Sequence, residues 1–88
     1  MPYQRISVEE AESLIEKNEV TLIDIRDNEN VEDVLSSADK NKPLIIYCYH
    51  GNSSQGAADY FYNMGFKQSF SVDGGFEEWK LKLINASI

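Results

Sequence analysis

Residues Leu44-Ile45-Ile46-Tyr47-Cys48 run on with hardly a polar group to turn toward water. A strand with one wet face alternates apolar and polar residues, so an unbroken run fits a strand covered on both faces, as in parallel sheets. Val20-Thr21-Leu22-Ile23-Asp24-Ile25 is a second, β-branched run of the same kind. Tyr3 to Ile6 and Phe66 to Val72 read as two further strands. The segments between them carry helical signals. Ser7 with Glu10 forms a capping box, and Val8, Ala11, Leu14 and Ile15 recur at helical spacing up to about Asn18. Val31 to Asp39 predicts a short helix capped by Asn30, with Val31, Val34, Leu35 and Ala38 inward. A third helix begins near Ser53 or Ser54, turns Ala57, Ala58, Phe61 and Met64 to the core, and stops at Gly65. Asp73-Gly74-Gly75 leads into a last helix with Phe76, Trp79 and Leu83 on one stripe. This alternation predicts an α/β/α fold in three layers, with a mostly parallel sheet of about four strands.

A chain of 88 residues has room for one core, so a single domain over residues 1–88 is expected. No stretch approaches the ~20 apolar residues of a membrane span, and the N-terminus lacks a basic-then-apolar signal pattern. The expectation is a cytoplasmic protein without membrane contact. A net charge of −7, with no basic stripe, argues against nucleic acid. One cysteine and one histidine exclude an internal disulfide and cannot close a structural metal site without several carboxylates. Neither a metal nor a cofactor is expected.

Chemistry concentrates where the Leu44–Cys48 run ends. Strand, cysteine, the polar loop Tyr49-His50-Gly51-Asn52-Ser53-Ser54 and then a helix follow one another. At the C-terminal end of a parallel strand, loop N–H groups and a helix N-terminus can converge on one spot and hold an anion. A free thiol has a pKa near 8.5, so only about 3% is thiolate at pH 7; charge-assisted N–H contacts raise that fraction. Cys48 is then either a reactive thiolate or an inert strand-end cysteine. Gly51 allows positive φ or a close backbone approach, and Ser53 and Ser54 can cap the helix or bind an anion. His50 is either an acid–base or orienting group or a solvent-facing loop residue.

These residues resemble the rhodanese, or thiosulfate sulfurtransferase, superfamily. Leu22-Ile23-Asp24-Ile25-Arg26-Asp27 is similar to its Asp-x-Arg strand, and Cys48 to Ser54 followed by Gln55-Gly56-Ala57-Ala58 to the active-site loop and helix of its single-domain members. Ser71 to Trp79 resembles its late strand, glycine turn and Trp-bearing helix. The resemblance implies a rhodanese-like fold and a double-displacement sulfur transfer. Cys48 would take sulfane sulfur from thiosulfate as a persulfide and pass it to cyanide, a dithiol or a thioredoxin-like protein. Tyr49, His50, Gly51, Asn52, Ser53 and Ser54 would bind substrate and persulfide, and Asp24 and Arg26 would brace the site.

Two departures qualify this. The family's Gly-His and Pro-Gly segment between the Asp-x-Arg strand and the next strand has no counterpart in residues 27–42. The position after Ser54 is Gln55, where close relatives carry a lysine that would help recruit a dianion. The alternative is therefore a weak or inactive rhodanese-like binding module, natural or shortened by deletion. Cysteine phosphatase chemistry fits poorly, because the sixth residue after Cys48 is Ser54 rather than a phosphate-clamping Arg. The Asn52 and Asn85 sequons, the acidic group Glu29, Glu32 and Asp33, and Trp79 are read as incidental pattern, solvated surface and core anchor.

Overall fold

The computed structural model describes residues 3–25 and 31–86, with side chains for all of these except 31–33 and 82–86. Arg26, expected to brace the site, and Asn30, expected to cap a helix, lie outside the described residues. Strands and helices alternate: β1 Gln4–Ile6, α1 Val8–Lys17, β2 Thr21–Asp24, α2 Val31–Ser37, β3 Leu44–Tyr47, α3 Ser53–Asn63, β4 Ser69–Val72 and α4 Gly75–Ala86. The four strands form one sheet in the order β1-β4-β3-β2, every pair parallel. This is the three-layer α/β/α fold that the alternation predicts.

The apolar run from Leu44 occupies an inner strand, β3. Leu44, Ile45 and Ile46 are fully buried, because neighbours cover both faces. On one face Ile23, Leu44 and Ile46 meet Ala58, Phe61 and Phe66, with Val34, Leu35 and Ala38 packed against them. On the other, Ile45, Val72 and Ile6 meet Val8 and Ala11, with Leu14 and Trp79 alongside. Helices α2 and α3 thus cover one face and α1 and α4 the opposite one.

Local chemistry sets the helix ends. Ser7 Oγ accepts from the Glu10 N–H at 3.1 Å, and Glu10 Oε1 accepts from the Ser7 N–H at 3.0 Å, which closes the capping box of α1. After α3 the Phe66 N–H donates to the Phe61 carbonyl, with Gly65 at positive φ between them.

Two expectations need correction. Phe66 does not start the last strand, which begins at Ser69. Phe66 instead stacks edge-on against Phe61, with ring centroids 5.5 Å apart, and plugs the base of α3. Met64 is 43% exposed, because it is the C-cap just past the end of α3, where the chain turns away. Among the described residues the segment 31–42 carries α2 and no strand, so β2 forms the sheet edge.

Candidate active site

Cys48 directly follows β3, and its side chain is only 6% exposed. Its sulfur is nonetheless surrounded by donors. The Gly51 N–H lies 3.1 Å from Sγ and the Ser54 N–H 3.4 Å, while Ser54 Oγ stands at 3.5 Å. Burial pushes the thiol pKa up. The Ser54 hydroxyl, the Ser54 N–H and the N–H groups of Gly51 and His50 outweigh it, and the net direction is down. Backbone N–H groups and a hydroxyl therefore ease formation of a sulfur anion at Cys48.

Three of the loop's carbonyls are held by hydrogen bonds. The first N–H groups of α4 take two of them: Phe76 N–H donates to Cys48 O at 2.6 Å and Glu77 N–H to Tyr49 O at 3.0 Å. A planar trans peptide sets C=O and N–H in opposite directions, so fixing Tyr49 O turns the His50 N–H toward the sulfur. Gln55 Nε2 holds a third carbonyl, Gly51 O, at 3.0 Å. Its Oε1 accepts in turn from the Tyr3 hydroxyl at 3.0 Å. Gln55, viewed from sequence only as a lost cation, is a tie between the loop and the start of the chain.

Glycines make this grip geometrically possible. A Cβ on Gly75 would stand 2.3 Å from Cys48 O and 2.9 Å from Gly51 N, and Gly75 has φ +58°. A Cβ on Gly51, at φ +90°, would stand 2.8 Å from Gly74 N. The two backbones are thus pressed together where neither tolerates a side chain.

A cavity of about 360 Å³ opens beside the sulfur, lined by Ile25, Cys48, Tyr49, His50, Asn52 and Ser53. Tyr49 and His50 are exposed, with ring centroids 6.5 Å apart. Asn52 precedes α3 and makes no side-chain cap, and both it and Ser53 line the opening. Ser54 is fully buried beneath the loop. Asp24 ends β2 beside Tyr47, half-buried. Ser71 on β4 adds a hydroxyl 2.7 Å from Ser54 Oγ. Ser71 and the Tyr3–Gln55 pair were missed in the sequence, since 17 and 52 residues separate the partners and no local pattern links them.

Comparison with known proteins places this arrangement. A family model for the rhodanese-like domain matches residues 27–82. The thiosulfate sulfurtransferase GlpE of Pseudomonas savastanoi pv. phaseolicola is 42% identical over 94 residues, covering 89% of this chain and 88% of that protein. The thiosulfate sulfurtransferase GlpE of Coxiella burnetii is 38% identical over 96 residues, covering 91% and 90%. Both aligned spans exceed the 88 residues of the chain, so these relatives carry residues that it skips. A rhodanese-related protein from Thermoplasma volcanium has the same fold, with a TM-score of 0.67 at 21% identity over 91% of this chain and 93% of that one. With the family model spanning most of the chain and two relatives aligned along nearly all of it, the protein belongs to the rhodanese-like domain family.

Proposed function

We propose that the protein is a thiosulfate sulfurtransferase in which Cys48 carries the transferred sulfur. The observation that carries this reading is the convergence of the Gly51 and Ser54 N–H groups and the Ser54 hydroxyl on Cys48 Sγ. Such a cluster stabilises a thiolate before the reaction and a persulfide anion during it. The names of the GlpE relatives support thiosulfate as the donor.

In the first step the Cys48 thiolate attacks the outer sulfur of thiosulfate. A new S–S bond forms to Sγ, the old bond breaks, and sulfite leaves with the bonding electron pair. The persulfide keeps one negative charge, now on the outer sulfur, within reach of the loop donors. In the second step cyanide or a thiolate attacks that outer sulfur, the Cys48 S–S bond breaks, and the electron pair returns to Sγ as thiolate. The acceptor is a small thiophile, a dithiol or a thioredoxin-like protein. Tyr49, His50, Asn52 and Ser53 shape the mouth through which donor and acceptor arrive, while Gly51 and Ser54 hold the anion. Asp24 and Arg26 are assigned to bracing the neighbouring loop.

Formation of thiocyanate from thiosulfate and cyanide tests the reading. The wild-type protein should turn over, and Cys48→Ala should fall to the rate without protein. Equal rates for the two would leave the chain as a binding module.

A further inference from the structure

Strand β4 sets two buried serines, Ser69 and Ser71, on the face toward α3, where apolar side chains would pack at no polar cost. Ser69 has a plain structural use: its hydroxyl donates to the Ala58 carbonyl of α3 at 2.8 Å. Ser71 is different. Its Oγ lies 2.7 Å from Ser54 Oγ, which in turn lies 3.5 Å from Cys48 Sγ, and neither serine is exposed to solvent. Three polar atoms thus form a row under the active-site loop.

The count of hydrogens gives the row a direction. Among the described residues, the Ser71 hydroxyl has Ser54 Oγ as its side-chain partner. Were Ser54 the donor, the Ser71 hydrogen would remain in the core without an acceptor, which buried hydroxyls avoid. Ser71 therefore donates, Ser54 accepts, and the hydrogen of Ser54 is left to point at the sulfur. A thiol at Cys48 brings a third hydrogen to a row with only two contacts. A thiolate or persulfide anion brings none, and both contacts are then filled.

We propose that Ser71 is a positioning residue of the active site: by donating to Ser54 Oγ it holds the Ser54 hydroxyl as a donor to the Cys48 sulfur and so favours charged over neutral sulfur there. This rests on the reading of Cys48 as a sulfur-carrying thiolate, and it extends the machinery from the loop into the sheet.

The test is the pH profile of Cys48 alkylation by iodoacetamide, in which this sole cysteine reports every adduct. Ser71→Ala should move the midpoint to higher pH and slow alkylation at pH 7 about two- to five-fold, the scale of one weakened link in a polarised chain of hydrogen bonds. In a Ser54→Ala background the same change should add nothing, since the link through which it acts is gone. Ser69→Ala, on the same strand and face, should leave the midpoint in place. If Ser71→Ala does not fold, the isosteric pair Ser71→Thr and Ser71→Val makes the same comparison, with the shift expected for Val alone. An unmoved midpoint, or an equal shift with and without Ser54, would overturn the proposal. Alkylation needs no sulfur donor, so a protein that shows these shifts but never takes sulfur from thiosulfate would sink the transferase reading alone.

Discussion

At the Cys48 sulfur two effects oppose each other, and the donors win. Burial alone would hold the thiol protonated; the Ser54 and Gly51 contacts reverse the direction. This has a consequence for stability. In the unfolded chain the thiol keeps its proton up to about pH 8.5, whereas in the fold it loses the proton at lower pH. Between those two values the unfolded state binds more protons, so stability rises with pH. It is lost again as pH falls through the folded-state value. Urea unfolding between about pH 6 and 9.5 should show wild type gaining on Cys48→Ala as pH increases. A flat or falling difference would mean that the donors do not hold a thiolate. At this scale the sequence was informative where contacts are local. Cys48, Gly51 and Ser54 sit close together where a loop enters α3, and their joint chemistry is visible in their spacing. Ser71, and the use of Gln55 as a tie to Tyr3, depend on strand order and stay hidden until the sheet is assembled.

At the scale of elements, the site depends on α4 as much as on the loop that carries the cysteine. The N-terminus of α4 spends its first N–H groups on Cys48 O and Tyr49 O, and Gly75 lets the two backbones touch. Gly75→Ala should therefore leave the helices and sheet recognisable by circular dichroism while lowering sulfur transfer by about tenfold or more, the effect of displacing positioned donors. Full activity in a folded Gly75→Ala protein would show that the α4 grip is dispensable. Element types were legible because the apolar runs of β2 and β3 and the capping box of α1 are strong signals. Boundaries were less so. An aromatic residue before a strand looks like part of it, yet Phe66 belongs to the core under α3. Met64 fits the helical spacing but falls where α3 ends.

At the scale of the whole molecule, the proposed anion-binding site lies inside a chain of net charge −7. Long-range attraction cannot gather a dianionic donor here, so binding falls to the local fan of N–H groups. The outline of the fold was readable because alternating strands and helices admit few arrangements. Which strand would lie at the edge was not, since that depends on what residues 27–42 omit. The most direct test of the whole account is intact-protein mass spectrometry after incubation with thiosulfate at physiological ionic strength. One added sulfur atom is expected on the wild-type chain, removable by cyanide and missing from Cys48→Ala. A wild-type protein that stays at its original mass, or an adduct that persists in Cys48→Ala, would contradict it.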